Sequence, residues 1–307
     1  MSAGWVAASV RARAMTRRRL GRVEVLGLAA SPSVDAAVTA LALTTYGSQV
    51  RPDQSLLEAQ RAVVDTVAWN IRVLAGWTPR EGVPVLRALI APLEAANIRD
   101  HLLRLAGADP PEPFRLGGLT TAWARVQRAT TVADVRNTLT ASLWGDPGGV
   151  TPREIDLAMR TTVSDRVVAA VPAAGGWAAG ATALLVAREV FLGGRELPPA
   201  ALLAASRVVG IAAVSAGTLS DYRAALPTSA RWALTDVDDP SDLWRAEARW
   251  WARVDRDAGS LVRRSRTGSD SVVGAVGMMA ADAWRVCGAL ELAARGGGPL
   301  EVFDAVA

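Results

Sequence analysis

The chain has 307 residues, half of them hydrophobic, and a formal net charge of only +4 at neutral pH. All 34 basic residues are arginine, so the chain lacks the lysine of a phosphate-binding loop or a Schiff base. One histidine and one cysteine exclude an internal disulfide and the usual zinc sites. So small a net charge gives little support for a nucleic-acid partner.

Ala, Val and Leu supply most of the hydrophobic residues, whereas Phe and Tyr are scarce. Strong helix formers dominate, and alternating runs of β-branched or aromatic residues are hard to find. We therefore predict an all-α fold. The first twenty residues are rich in arginine, but no long apolar block follows them, so they do not predict a secretory signal.

Apolar residues recur at helical spacing in several later stretches. They predict helices at 55–77, 85–105, 242–256 and 272–294. Gly107 ends the second of these patterns, and Ser241 is placed to cap the third. Gly296 to Gly298 follow the last, before a short apolar tail at Val302 and Phe303.

One uncharged stretch, 167–187, is long enough to raise the question of a membrane span. Its centre contains Pro172 beside small residues, and most of the remainder is alanine. Alanine contributes little to membrane insertion, and proline next to glycine breaks a helix. We predict a joint between two helices here, in a protein that is soluble or peripherally attached to a membrane.

A short motif occurs more than once. Thr-Val-Ala-Asp-Val-Arg at 131–136 matches Thr-Leu-Ser-Asp-Tyr-Arg at 218–223, and a weaker copy at 33–47 aligns with 131–145. Because threonine three residues before aspartate is typical of a helix start, we expect Thr131 and Thr218 to be N-caps rather than Asp134 and Asp221 to be metal ligands. Three copies predict three related helical lobes, at 1–107, 108–194 and 195–307.

Four further segments have a recognisable pattern. Residues 5–12 begin with an aromatic and carry Arg11 near their end, and 41–47 end in Tyr46 and a glycine. Residues 93–99 read acidic-x-x-Asn-Ile-Arg through Asn97 and Arg99, and Leu-Leu-Arg104 follows them. Near the C-terminus, residues 282–285 are Asp-Ala-Trp-Arg.

Together these segments resemble the central-stalk C family of V-type and archaeal A-type ATPases, which is called the d family in eukaryotes. The resemblance covers nearly the whole chain. Ser9 stands where the family usually has arginine, and Asp282 lies where it has a helix centred on glutamate. The family's fold is three similar helical lobes in a pseudo-threefold, funnel-shaped arrangement.

The resemblance implies a non-catalytic rotor component of the central stalk, without cofactor, metal or nucleic acid. Such a protein receives the tip of the shaft formed by the D and F proteins of the ATPase and sits on the membrane proteolipid ring, which carries protons or sodium ions. It is peripheral, at the cytoplasmic face of the cell membrane, and it touches the membrane only through the ring. The candidate structural or interface residues are Arg11, Tyr46, Asn97, Arg99, Arg104 and Asp282.

The residue types add expectations of their own. Asn97 lies on an apolar-flanked helix, so it should be buried and hydrogen-bonded, either to brace a loop or to meet a partner. Arg11 should pair with a carboxylate, which its planar guanidinium suits. His101 and Cys287 each lie in an apolar helical pattern, and we expect both to be structural rather than catalytic.

Two other functions stay open. Asp238, Asp239 and Asp242 form a DDxxD string, which in all-α isoprenoid synthases holds magnesium against diphosphate, a role suited to oxygen ligands. Here Pro240 interrupts the string at a helix start, which favours a turn and a cap. The other alternative is a helical binding or adaptor protein unrelated to ATPases.

Overall fold

The computed structural model describes residues 3–265 and 267–298. These residues form α-helices and no β-strand, which confirms the all-α prediction. The helices are α1 Ala3–Thr16, α2 Arg22–Ala29, α3 Val34–Ala42, α4 Leu56–Trp77, α5 Val83–Leu105, α6 Trp123–Val126, α7 Val132–Thr140, α8 Pro152–Ala170, α9 Gly175–Ala187, α10 Pro199–Val209, α11 Ile211–Val214, α12 Leu219–Ala225, α13 Thr228–Arg231, α14 Leu243–Arg264 and α15 Ser269–Ala294.

Short turns of other helix types join several of these elements. Tight 3₁₀ turns have fewer residues per turn than an α-helix and rarely extend beyond four residues. They lie at Thr45–Ser48, Arg80–Gly82, Gly117–Leu119, Pro172–Ala174, Trp232–Leu234 and Pro240–Asp242, and a wider π-helical turn lies at Arg188–Leu192.

Local signals explain where the two predicted long helices of the first third begin and end. The Ser55 side chain accepts a hydrogen bond from the Glu58 N–H, and the Glu58 carboxylate accepts one from the Ser55 N–H, so a reciprocal capping box starts α4. Helix α5 ends before Gly107, whose φ of +88° is readily adopted only by glycine. The helices predicted at 55–77 and 85–105 are confirmed.

The two predicted C-terminal helices are also present, with different starts. Asp239, not Ser241, is the capping residue before α14: its carboxylate accepts a hydrogen bond from the Ser241 N–H at 2.7 Å, within the 3₁₀ turn that leads into the helix. The predicted Ser241 cap is therefore wrong. Helix α15 begins three residues earlier than predicted, at Ser269. The apolar tail at Val302 and Phe303 lies outside the described residues.

The stretch at 167–187 is not one helix. Helix α8 ends at Ala170, a 3₁₀ turn covers Pro172–Ala174, and α9 follows, as the predicted joint requires. Among the described residues, α15 alone is long and apolar enough to cross a membrane by length and composition. About 67% of its apolar stretch is buried within the protein.

The described residues form two compact units, which the chain connects within α14 and at the start of α5. The first contains the residues up to Val83 and those from Trp251 onward. In it, α15 is the central helix and contacts α1, α2, α3 and α4. Both ends of the described chain therefore contribute to one unit.

The second unit comprises Pro84–Trp250, and two large hydrophobic clusters lie within it. One joins α5 to α7 and α8 through residues such as Ile98, Leu139 and Ile155. The other surrounds Tyr222 and joins α9 to α12 and α14. The division into lobes at 1–107, 108–194 and 195–307, and their funnel arrangement, stay predictions.

Candidate functional site

A side-chain hydroxyl caps a helix in all three copies of the repeated motif. The Ser33 side chain caps α3, and the Thr131 and Thr218 hydroxyls each accept a hydrogen bond at 3.1 Å, from the backbone N–H of Asp134 and Asp221 respectively. Each threonine also donates to the carboxylate of that aspartate at 2.7 Å. The predicted N-caps are confirmed, and both aspartates serve the helix start.

In the first two copies, a second hydroxyl accepts a backbone hydrogen bond in the turn just after the capped helix. Thr44 Oγ1 accepts from the Tyr46 N–H at 3.2 Å, and Ser142 Oγ accepts from the Trp144 N–H at 3.1 Å. The two aromatic residues occupy aligned positions of the repeat, and both are about 95% buried. Each one donates a hydrogen bond to a buried carboxylate on a long helix.

In the second unit that carboxylate is Glu94, which is 1% exposed and lies in the middle of α5. Its Oε1 accepts from three successive backbone N–H groups, of Thr121 at 2.7 Å, Ala122 at 2.7 Å and Trp123 at 2.8 Å. Its Oε2 accepts from Trp144 Nε1 at 3.3 Å. Because the first N–H groups of a helix have no partner within it, Glu94 completes the start of α6 from another helix.

Arg166 supplies a positive charge beside this carboxylate. Its guanidinium lies 4.6 Å from the centre of the Trp144 ring, and Nη2 donates to Thr121 Oγ1 at 3.3 Å. Burial lowers the pKa of Arg166, and the negative charge of Glu94 opposes that shift. The carboxylate and the guanidinium thus compensate each other in a region largely removed from water.

In the first unit the corresponding carboxylate is Asp282 on α15, which is 2% exposed. Its Oδ2 accepts from the Tyr46 hydroxyl at 2.8 Å and from the Leu20 N–H at 3.1 Å. Leu20 lies just before α2, as Thr121 lies just before α6. We call the arrangement around Glu94 and around Asp282 a carboxylate anchor, because in each case one acid holds a short helix start and an aromatic side chain.

The two carboxylate anchors differ in electrostatics. Burial raises the pKa of Asp282 to about 6, against the opposing effects of its two hydrogen bonds and of Arg19 and Arg285. Both arginines pair with Asp255, at 2.8 Å and 2.7 Å, rather than with Asp282. Burial, reinforced by the charge of Asp282, raises the pKa of Tyr46 far above its usual value, so the phenol stays a donor.

Asn97 lies one turn beyond Glu94 on α5 and is fully buried. Its side-chain amide donates to the Phe114 carbonyl at 2.9 Å, and its oxygen accepts from the Phe114 N–H at 2.7 Å. The expected burial is confirmed, and the contact made is the bracing of a loop. Any further role of Asn97 in meeting a partner stays a prediction.

Replacing Asn97 with alanine should lower the free energy of unfolding by roughly 2 kcal/mol, because it leaves the N–H and C=O of Phe114 without these partners. Urea unfolding gives the value, and limited proteolysis should show faster cleavage in the loop at 106–116. Asn137→Ala, on the surface side of α7, is the control and should change stability by less than about 0.5 kcal/mol. Equal losses in the two variants would contradict the brace.

The other predicted site residues lie near the surface. Arg99 donates to the buried carboxylate of its neighbour Asp100 at 2.9 Å, and Arg104 donates to the Pro110 carbonyl at 3.2 Å. Arg11 forms no ion pair with any described residue, and its Nε is buried without a hydrogen-bond partner there. The expected carboxylate partner of Arg11 is thus missing from the part of the chain that the structure describes.

His101 and Cys287 have structural surroundings. His101 Nε2 lies 3.0 Å from the Ala129 carbonyl, and its ring meets the Trp123 indole edge-on. Burial raises the pKa of the Cys287 thiol to about 12, and the charge of Glu291 adds to the shift. A thiol held protonated is a poor nucleophile.

The DDxxD aspartates are engaged locally. Asp238 pairs with Arg223, Asp239 caps the turn, and Asp242 pairs with Arg245 at 2.7 Å. Within residues 3–265 and 267–298, no three His, Cys, Asp or Glu side chains are grouped so as to hold a metal ion. One of these three carboxylates therefore caps the turn, and the other two form ion pairs with arginines.

Three important residues were not singled out from the sequence. Glu94 is the acidic residue of the motif that contains Asn97, so the motif itself could have indicated it. Trp144 aligns with Tyr46 in the repeat, which is a weaker signal. Nothing local to the sequence marks Arg166, since its role depends on the tertiary contact with Trp144.

No known family model matches the chain, and no curated protein matches it either. Support for a function therefore comes from the contacts around Glu94 and Asp282.

Proposed function

We propose that this chain is a non-catalytic rotor socket of the central stalk of a V/A-type ATPase. In that role it couples the shaft, formed by the D and F proteins, to the membrane proteolipid ring during proton or sodium transport. It would lie peripherally at the cytoplasmic face of the membrane and touch the membrane only through the ring. The observation that carries the proposal is the recurrence of one carboxylate anchor in two of the three sequence repeats.

The two anchors agree in order as well as in chemistry. In each anchor, an acid on a long helix accepts two kinds of hydrogen bond. One comes from a backbone N–H just before a short helix. The other comes from an aromatic side chain that follows the next helix along the chain, which is the capped one. Such a match is typical of a duplicated module. Glu94 is the acid of the family-like motif that contains Asn97, and Asp282 is an acid where the family has a helix centred on glutamate. An acid at both positions supports the proposed relationship to the central-stalk C family.

The third copy keeps the cap but not the anchor. Arg231 takes the aligned position of Trp144, and its guanidinium donates to the backbone carbonyls of Leu226 and Ala224. A side chain thus still fixes the turn after the capped helix α12. We propose that the three copies open three related lobes in a pseudo-threefold funnel, with the third lobe the most diverged.

The interior of the second unit suits a part that transmits force. A Cβ atom added at Gly180 on α9 would lie 2.8 Å from the Trp232 ring and 2.9 Å from the Trp250 ring, so the helix and these two indoles are in close contact. Interiors packed in this way have low compressibility and transmit strain. The proposed socket then works by shape and stiffness.

The test is reconstitution. The chain, co-expressed with the D and F shaft proteins of the ATPase from the same organism, should elute with them as a single complex and should bind the isolated proteolipid ring. Added to an ATPase complex from which the native socket has been removed, it should restore ion pumping driven by ATP. An established member of the central-stalk C family is the positive control, and an unrelated helical protein of equal size is the negative control.

Two results would contradict the proposal. One is failure of the chain to bind the shaft or the ring under conditions in which the positive control binds both. The other is full binding without any recovery of pumping. The first result would favour a helical adaptor outside the ATPases.

A further inference from the structure

The second unit contains a cavity of about 390 Å³ at its surface, near the start of α6. Small-molecule sites usually have volumes of about 300–1,000 Å³. The cavity is formed by α5, the loop before α6, α6 itself and the turn after α7. Its lining residues are Arg87, Thr120, Thr121, Arg125, Ala141, Ser142 and Leu143. Two of these are cationic, three carry a hydroxyl, and none is acidic.

The two arginines present exposed side chains to the cavity. Arg87 Nη2 donates to the Gly118 carbonyl at 3.3 Å, which holds the side chain against the loop before α6. The other N–H groups of this guanidinium are left for a ligand, since it has five. Arg125 forms no ion pair or side-chain hydrogen bond with any described residue. Guanidinium groups in this state bind oxyanions through parallel N–H groups.

One of the three hydroxyls adds a further donor. Thr120 and Ser142 already donate their hydroxyl protons to backbone carbonyls, at 3.2 Å and 2.7 Å. Thr121 Oγ1 instead accepts from Arg166 Nη2 at 3.3 Å, so its own proton is available to a ligand. The charged donor behind this hydroxyl also polarises the O–H bond and strengthens it as a donor.

The loop before α6 and α6 itself carry no acid that could offset these arginines. Between Glu112 and Asp134 the chain has three arginines and neither aspartate nor glutamate. Glu94, which contacts this loop from α5, is 1% exposed, and its charge is compensated by backbone N–H groups and by Arg166. The cavity is therefore a positively charged site.

We propose that this cavity binds a phosphate monoester. Its phosphate group pairs with Arg87 and Arg125 and accepts the hydroxyl proton of Thr121. Three donor groups then meet three terminal oxygens, and two positive charges balance a group that carries nearly two negative ones. A carboxylate, with one charge and two oxygens, matches this set less well. The remainder of the ligand lies along Leu143, which is 75% exposed. The site is independent of the rotor proposal.

Isothermal titration of the full chain with phenyl phosphate, in buffer without phosphate or sulfate, tests the site. Phenyl phosphate should bind at least tenfold more tightly than benzoate, which has the same ring and a carboxylate. Sedimentation with vesicles that contain phosphatidic acid, compared with pure phosphatidylcholine vesicles, shows whether a lipid headgroup can supply the monoester. Binding of either monoester supports the site. Equal binding of phenyl phosphate and benzoate, or binding of neither monoester, would overturn the proposal.

Variants locate the binding. Arg87→Gln and Arg125→Gln should each weaken the binding of phenyl phosphate at least fivefold. Arg128→Gln removes the same charge at an exposed neighbouring arginine outside the cavity and should not change the affinity. All three side chains are exposed, so the variants should fold, which circular dichroism checks. Equal affinity in Arg125→Gln and Arg128→Gln would overturn the site, because binding would then depend only on net charge.

Discussion

Replacing Glu94 with alanine should lower the free energy of unfolding of the second unit by about 4–5 kcal/mol. The change leaves three successive backbone N–H groups at the start of α6 and the Trp144 indole N–H without their acceptor. It also leaves Arg166 largely buried without the opposing charge. Since a whole domain is stable by only about 5–15 kcal/mol, the loss should be plain in guanidinium unfolding followed by circular dichroism.

Glu94→Gln is the matched control. Glutamine keeps an oxygen in place for the three N–H groups, but its NH₂ group faces another donor, Trp144 Nε1, so we expect roughly half the loss. Equal losses for alanine and glutamine would mean that the oxygen contacts contribute little. A loss below about 1 kcal/mol for alanine would mean that other acceptors replace Glu94.

A double-mutant cycle separates the charge from the hydrogen bonds. Arg166→Met keeps much of the side-chain volume and removes the buried cation that Glu94 compensates. Glu94→Ala combined with Arg166→Met should therefore cost less than the sum of the two single changes. Strict additivity would show that the two charges are not coupled.

Local signals predicted the features that depend on a few neighbouring residues. The caps at Thr131 and Thr218 followed from a three-residue spacing, because the hydroxyl and the N–H that it binds lie in the same turn. The cap before α14 shows the limit of this reasoning. Ser241 and Asp239 are both good capping residues, and only the backbone path at Pro240 decides in favour of Asp239.

Contacts between distant residues could not be obtained in this way. Glu94 and Trp144 lie 50 positions apart, and Tyr46 and Asp282 lie 236 apart. Helical periodicity shows which face of a helix is buried, but not which other helix covers it. The same limit applies to the first unit, where α15 returns to pack against α1 to α4. The sequence repeat was the only signal that related positions so far apart.

Replacing Asp282 with asparagine should remove a pH dependence of stability from the first unit. Burial raises the pKa of this carboxyl from 3.8 to about 6 in the folded state. The folded state then binds the proton more tightly than the unfolded state does. The stability that this proton contributes is fully present below about pH 4 and is lost as the pH rises through 6. The whole change amounts to roughly 3 kcal/mol.

Asparagine matches the shape of the carboxyl group and does not titrate in this range. Its oxygen can accept the hydrogen bonds from Tyr46 and Leu20 that Asp282 Oδ2 accepts. The stability of Asp282→Asn relative to the unchanged chain should therefore rise by up to roughly 3 kcal/mol between about pH 4 and pH 7. Urea unfolding at intervals of one pH unit gives the difference.

The comparison isolates Asp282 because the surrounding charges are the same in both proteins. Those that face it are Arg19 from the segment after α1 and Arg285 on its own helix, with Asp255 of α14 bound to both. Asp270→Asn, at the exposed start of α15, is the control and should leave the pH profile unchanged. Parallel curves for the Asp282 variant and the unchanged chain would show that burial does not hold the proton on Asp282.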